Sequence, residues 1–194
     1  METESEIGIE NHPVNNTKEL FRNALMYGLM LGGVMILIDL LMYTFDLSGL
    51  GIFVGLLVTL LTIVIYFVFF IRGGRSFRDK FNNGHINYGI AFLFCVIMAI
   101  VSTLILTLYY YLFYNFFDPE RAINEGQRAM EMIAQNDNIP DEQKEEIMQS
   151  LLDKAETNNI VVRSLISNSI FSVFVGAISA LFVRKKEKIN DVIL

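Results

Sequence analysis

Residues 88–114 read YGIAFLFCVIMAIVSTLILTLYYYLFY, an unbroken run of 27 residues without a charged side chain. A helix rises about 1.5 Å per residue, so roughly 20 apolar residues cross the hydrocarbon core of a membrane. Residues 24–45, 50–71 and 165–183 form three further apolar blocks of similar length. Strands of a membrane barrel would instead alternate apolar and polar residues. The sequence therefore predicts an all-α fold, a four-span transmembrane helix bundle.

The composition of the whole chain agrees with a membrane protein. Of its 194 residues, 53% are apolar and 19% are charged, whereas soluble domains carry about 25% charged residues. The net charge of −6 argues against a nucleic-acid partner, because such proteins need a basic surface. Cys95 is the single cysteine, and His12 and His85 lie far from it in sequence. We therefore expect no disulfide, no metal site and no cofactor.

The charges outside the spans predict the orientation. Residues 1–22 carry five glutamates rather than the basic start of a signal peptide, so we expect a polar N-terminal tail and a retained first span. The single membrane domain then covers residues 23–183, and residues 184–194 form a basic C-terminal tail. Ten lysines and arginines flank the spans on the side of both termini. On the other side, residues 118–163 carry five basic and eleven acidic residues. Both termini should thus be cytoplasmic, in a bacterial cell membrane.

Residues 118–160 predict an acidic, extracytoplasmic helical hairpin between the third and fourth spans. Asp118 followed by Pro119 is typical of a helix start. Two apolar stripes of helical spacing follow, separated by a turn at residues 136–140, and we expect the second helix to end near Asn158. The stripes favour a hairpin that packs on itself as a cap over the bundle. The alternative is a docking surface for a protein partner.

Each span carries small residues every fourth position, a spacing that lets helix backbones approach closely. We interpret these residues as contacts within one compact bundle, and the alternative is contact between copies of the chain. The predicted packing residues are Gly28 and Gly32, Gly51 and Gly55, Ala91, Cys95 and Ala99, and Ser172, Gly176 and Ala180.

Asp39 is the formally charged residue that lies well inside a span. At its depth we expect Arg163, Asn168 and Ser169 of the fourth span, and the tyrosines at 109–111, as neighbours. One hypothesis is that Asp39 binds a proton or a cation during transport. The other is a structural pair near the interface, which we favour because a single acid lacks the relay of acids that transporters usually show.

The sequence shows no pattern typical of an active site. Residues 73–76, Gly-Gly-Arg-Ser, lack the GxxxxGK[ST] spacing of a phosphate-binding loop, so we assign them to a basic loop that anchors the cytoplasmic side and contacts anionic lipid headgroups. His85, in an expected turn at residues 82–87, has no acid or thiol nearby in sequence. We therefore predict no catalytic residue and a protein that is not an enzyme.

Several short motifs resemble the bacterial domain-of-unknown-function family 4199. The motifs are YGLMLGG at 27–33, FRDKFNNGHINYGIAF at 77–92, YNFFDPE at 114–120, IPDEQKEEI at 139–147 and GAISALFVRKK at 176–186. The resemblance covers residues 22–187. It implies an integral membrane protein with four spans and no assigned activity, and it transfers no functional residue to this chain.

The sequence thus favours a non-enzymatic scaffold or accessory subunit of the bacterial cytoplasmic membrane that acts through its hairpin. The alternative is a small transporter or channel in which Asp39 is the proton or cation site. The expected partners are the lipid bilayer, a protein at the hairpin and, as an alternative, a second copy of the chain.

Overall fold

The computed structural model describes residues 17–47, 51–135, 139–154 and 157–185. Within these residues the fold is all-α, as predicted, and two residues that pair as a single β-bridge are the only β structure. The helices are α1 (Thr17–Thr44), α2 (Ile52–Phe81), α3 (Tyr88–Leu112), α4 (Arg121–Ala134), α5 (Asp141–Lys154) and α6 (Thr157–Val183), and a π-helical turn at Phe113–Phe117 continues α3. The parts of the expected tails at residues 1–16 and 186–194 lie outside the described residues.

Four of these helices are long and apolar enough to cross a membrane, which confirms the four predicted spans. They are α1, α2, α3 with its π-helical turn, and α6, and their apolar stretches cover Thr17–Thr44, Phe53–Phe81, Tyr88–Phe117 and Val161–Val183. The protein is therefore a multi-pass membrane protein.

Local polar contacts set the start of two helices. The side chain of Asn87 accepts a hydrogen bond of 2.9 Å from the backbone N–H of Ile90 and thereby caps α3. The expected turn before it is present, with Asn83 and Gly84 at φ of 49° and 77°. Before α4, the Asp118 carboxylate accepts a bond of 3.1 Å from the backbone N–H of Arg121, but the helix begins at Arg121, two residues after the start that the Asp-Pro pair predicts.

The expected loop at residues 73–76 is wrong, because α2 continues as a helix through it to Phe81. Arginines lower the local hydropathy without interrupting helix formation. The glycines here serve close packing: a Cβ on Gly73 would lie 3.1 Å from Tyr27 Cγ, and one on Gly74 would lie 2.8 Å from Val183 Cγ1. The expected helix end near Asn158 is also wrong, since Asn158 lies in the first turn of α6.

α3 is the central helix and packs against α1 on one side and α6 on the other. A Cβ on Gly28 of α1 would lie 2.8 Å from Val101 Cβ of α3, and one on Gly176 of α6 would lie 3.1 Å from Cys95 Cβ. These contacts require the small residues that the spacing picked out. The other small residues of the same spacing, Ala91, Cys95 and Ala99 on α3 and Ser172 and Ala180 on α6, are buried, and Gly32 of α1 lies against Ile105.

α2 packs differently from the prediction. A Cβ on Gly51 or Gly55 would meet nothing within 4 Å, so these glycines form no helix contact with the described residues. Apart from the close contacts at Gly73 and Gly74, α2 meets its neighbours through aromatic rings. Tyr66 meets Phe171 of α6 edge-on at 5.3 Å, and Phe77 stacks on Phe94 of α3 at 5.4 Å. Large rings fill the space between α2 and these two helices, where small residues would instead have let the backbones approach closely.

The two ends of the bundle differ. At one end, here called the hairpin end, α4 and α5 pack against each other beside the end of α1. At the other end, Ile86 and Lys185 exchange backbone hydrogen bonds of 2.9 and 3.0 Å, and the Arg78 guanidinium donates to the Val183 carbonyl at 3.0 Å. These bonds join the α2–α3 connection to the end of α6.

Candidate functional site

Asp39 lies near the hairpin end of α1 and faces α3 and α4. Its two carboxylate oxygens accept hydrogen bonds from the Arg121 guanidinium, at 2.9 Å from Nη1 and 3.2 Å from Nη2. The Tyr109 hydroxyl donates a third bond, of 2.7 Å. Asp39 therefore forms a bidentate ion pair that joins a membrane span, α1, to the first hairpin helix, α4.

The Arg121 guanidinium also has further ionic and aromatic partners. The remaining edge of its guanidinium donates from Nε to the Glu125 carboxylate at 2.8 Å, one helical turn further along α4. Its central carbon lies 5.1 Å from the ring centre of Tyr43, 4.8 Å from that of Phe113 and 5.5 Å from that of Tyr114. Cation–π attraction to these rings adds to the ion pairs. Only 8% of Arg121 is exposed.

The electrostatic environment keeps Arg121 charged. Burial alone would lower the pKa of Arg121, but its hydrogen bonds to Asp39 and Glu125 outweigh burial and raise the pKa above its ordinary value. Together, Asp39, Arg121 and Glu125 carry a formal charge of −1. A second ion pair joins Arg128 of α4 to Asp46 after α1, and this pair is exposed. α4 is thus tied to the end of α1 at two places.

Two cavities meet at the ion pair. The first, of about 250 Å³, lies among α1, α2, α3 and α6 and has a largely apolar wall. The second, of about 410 Å³, lies toward the hairpin and has Glu125, Arg128 and Ser164 in its wall. Both cavities share Asp39, Tyr110 and Arg121. The ion pair therefore separates an apolar space inside the bundle from a polar space beside the hairpin.

The comparison with known families identifies the chain. The family described as a protein of unknown function, DUF4199, matches residues 26–185, which include most of α1, the other three spans and the hairpin. The chain belongs to DUF4199. No curated protein and no solved structure matches it. The resemblance seen in the short sequence motifs is confirmed.

This DUF4199 chain brings together some of the polar residues expected around Asp39. Asn168 lines the first cavity together with Asp39, and Tyr109 bonds to it directly. Arg163, expected as a neighbour, is exposed on α6, and Ser169 is half-buried outside the walls of both cavities. The basic partner of Asp39 is Arg121 and not Arg163.

The sequence itself indicates Arg121 as the partner of Asp39, although we expected Arg163. Arg121 follows the Asp118-Pro119 helix start and the aromatic end of the third span, YYYLFYNFF at 109–117. A buried arginine needs counter-charges and benefits from aromatic rings, and this segment supplies both. The pattern of an arginine at the first turn after an aromatic span end was therefore a usable indication.

The remaining candidates for chemistry lie elsewhere. Cys95 is fully buried in the contact between α3 and α6, and His85 lies in the turn before α3, where its backbone N–H donates to the Asn82 carbonyl at 2.8 Å. In the described part of the chain, no three His, Cys, Asp or Glu side chains come together in a way that could hold a metal ion.

Proposed function

We propose that this DUF4199 protein is a non-enzymatic scaffold or accessory subunit of the bacterial cytoplasmic membrane. Both termini are cytoplasmic in this proposal, as the distribution of lysine and arginine predicts. The hairpin formed by α4 and α5 lies on the outer side and binds a protein partner. The observation that carries the proposal is the buried ion pair between Arg121 and Asp39, which holds the hairpin on the bundle.

The two ion pairs of α4 support a fixed rather than a loosely tethered hairpin. Arg121 binds Asp39 within the bundle, and Arg128 binds Asp46 at the end of α1. Removing either partner of a buried ion pair is costly, so the first contact resists dissociation of α4 from the spans. A fixed hairpin can present the same surface to a partner at all times.

The surface of α5 suggests the chemistry of that partner. Asp141, Glu142, Glu145 and Glu146 are exposed at the start of α5. Lys144 lies between them and pairs with Asp141 at 3.4 Å. Opposite charges guide association and favour a matching partner, so we propose a protein with a basic surface.

The same geometry supports a protein without catalytic chemistry. Asp39 and Glu125 are the carboxylates nearest to the cavities, and both accept hydrogen bonds from Arg121. A carboxylate paired in this way would have to break its bond with Arg121 before it could take a proton from a substrate.

A small transporter or channel is the second candidate, and the two cavities favour it. In this alternative, Asp39 exchanges Arg121 for a proton or a cation, and the ion pair opens and closes the passage between the cavities. Asp39→Asn alone does not separate the two candidates, because Asp39 also anchors the hairpin.

A substitution on the exposed side of α5 does separate them. We would purify the full chain gently from its own membranes through a C-terminal tag and quantify the proteins that remain with it. Glu142→Gln with Glu146→Gln removes charge from one side of α5, and Glu120→Gln with Glu131→Gln is the matched control on exposed residues before and within α4.

If the protein is a scaffold, a stoichiometric partner should co-purify with the wild type and with the control. The amount of that partner should fall by about tenfold or more in the α5 variant, which corresponds to a loss of roughly 1.4 kcal/mol of binding free energy. Ion flux in proteoliposomes should be the same for all three. The absence of a stoichiometric partner from the wild type would refute the scaffold, and a flux that disappears in Asp39→Asn while the hairpin stays bound would establish the transporter.

A further inference from the structure

The cavity of about 250 Å³ inside the bundle combines an apolar wall with unpaired polar groups. Met35 and Met42 of α1, Val58 of α2 and Leu106 of α3 contribute apolar surface. Methionine side chains are flexible and polarizable, so they adapt to ligands of different shape. Such a cavity with a few polar groups in its wall is typical of a binding site for a small molecule.

Besides the ion-paired Asp39 and Arg121 and the Tyr66 hydroxyl, three uncharged polar side chains of this wall make no hydrogen bond within the described part of the chain. They are the hydroxyls of Thr62 and Tyr110 and the side-chain amide of Asn168. They come from three different helices, α2, α3 and α6, and line one space. Polar groups in a membrane usually find hydrogen bonds, because the hydrocarbon offers none. A molecule with a hydrogen-bonding head would supply them here.

The charged groups beside the cavity indicate what kind of head fits. Asp39 accepts three hydrogen bonds, and Glu125 accepts from Arg121 and from the Tyr114 hydroxyl. Arg128 is occupied by Asp46. An anionic head would meet the net negative charge of Asp39, Arg121 and Glu125, and a cationic head would have to compete with Arg121 for carboxylates that already accept its hydrogen bonds. Either head would also lose its hydration, which is unfavourable. A neutral head avoids that cost.

We infer that this cavity binds a neutral amphiphile with a hydroxyl or carbonyl head. The head bonds to Thr62, Tyr110 and Asn168, and an apolar chain lies against Met35, Met42 and Val58. At roughly 30 Å³ for each small group, the cavity has room for about eight methylene-sized groups. The chain is therefore short, or it is the buried part of a longer lipid chain. This inference does not depend on a protein partner that binds the hairpin.

Photolabelling of the full chain in phosphatidylcholine nanodiscs tests the inference. The probes are a diazirine-bearing octanol and the octylamine and octanoate of the same length, and the labelled residues are located by mass spectrometry. We expect saturable labelling by the alcohol on residues of the cavity wall, and several-fold weaker labelling by the two ionic probes.

Paired variants locate the site on α2. Val58→Phe fills the cavity, whereas Leu57→Phe adds the same ring at a neighbouring side chain that is 51% exposed on the surface of the bundle. Saturable labelling should fall about tenfold in the first variant and stay unchanged in the second. If Val58→Phe does not fold, Thr62→Val and Thr59→Val form the second pair, because Thr59 is exposed. Loss of the Thr62 hydroxyl should weaken the probe about two- to tenfold.

Three results would overturn the inference: labelling that does not saturate, labelling that Val58→Phe or Thr62→Val leaves unchanged, or a preference for the amine or the carboxylate. Competition then identifies the source of the ligand. Displacement by dioleoylglycerol in the nanodisc supports a lipid of the bilayer, and displacement only by a short alcohol added to the solution supports a soluble molecule. Both results support a neutral head.

Discussion

Replacing Arg121 with glutamine should release the hairpin from the bundle. The substitution removes both bonds from the guanidinium to Asp39, whose carboxylate then keeps only the 2.7 Å bond from Tyr109. The Arg121 and Asp39 side chains are 9% and 17% exposed, so the carboxylate left behind is poorly hydrated. Removing one partner of a buried pair costs about 3–5 kcal/mol. Because Asp39 lies near the end of a span, we expect the lower value, about 3 kcal/mol.

The complementary substitution, Asp39→Asn, should have a smaller effect. Arg121 would keep its 2.8 Å ion pair with Glu125 and its contacts with three aromatic rings. Loss of Asp39 therefore leaves Arg121 with several partners, whereas loss of Arg121 leaves Asp39 with one hydrogen bond. The double variant should lose less than the sum of the two single variants, because the second substitution removes a charge that has already lost its partner.

Hydrogen exchange of the backbone amides of α4 and α5 measures this effect in the purified protein. A loss of about 3 kcal/mol corresponds to roughly a hundredfold faster exchange where opening requires α4 to leave the bundle. Arg128→Gln is the matched control, because its pair with Asp46 is exposed and such pairs contribute little. Its exchange should stay close to that of the wild type.

The raised pKa of Arg121 predicts how the wild type responds to pH. A group whose pKa is higher in the folded state contributes fully below its unfolded value and loses that contribution only as the pH rises through the folded value. The contribution of the Arg121 charge should therefore stay constant from neutral pH up to the ordinary pKa of arginine, above about 12. Equal exchange in Arg121→Gln and Arg128→Gln, or strict additivity with Asp39→Asn, would refute the view that this pair holds the hairpin.

Further predictions concern packing and orientation. Gly28→Ala should lower the free energy of unfolding of the purified protein, measured by thermal denaturation, by about 1–3 kcal/mol. The reason is that the new Cβ would lie 2.8 Å from the Cβ of a neighbouring valine. The control, Gly55→Ala, places its Cβ in open space and should leave the stability unchanged. In a Cys95→Ala background, a cysteine at Glu145 should react with a membrane-impermeant maleimide in intact cells, and one at Lys80 only after lysis. The reverse pattern would contradict the proposed orientation.

One contact, between Asp39 and Arg121, bears on both the transport hypothesis and the structural-pair hypothesis for Asp39. The sequence drew attention to Asp39 as an acid in an apolar helix and to the hairpin as a separate acidic segment. The structure joins the two through Arg121. An experiment on Asp39 is therefore also an experiment on the hairpin, and the α5 variants are needed to tell partner binding from transport.

Hydropathy and spacing alone determined the four spans, the helical hairpin and the close contacts of α3. Long apolar runs must be helical in a membrane, because each helix satisfies its own backbone hydrogen bonds. Small residues at Gly28 and Gly176 marked helix contacts, because only small side chains allow that approach. These features depend on residues that are close in sequence, or on one property of a whole segment.

The tertiary structure alone decided the partner of Asp39, the role of the glycines on α2 and the presence of the two cavities. Asp39 and Arg121 are 82 residues apart, and their contact depends on how α1 and α4 meet in three dimensions. Gly55 has the same local pattern as Gly28, yet only Gly28 faces another helix. A one-dimensional pattern specifies which face of a helix can pack closely, and the arrangement of all the helices decides which of those faces meet a neighbour.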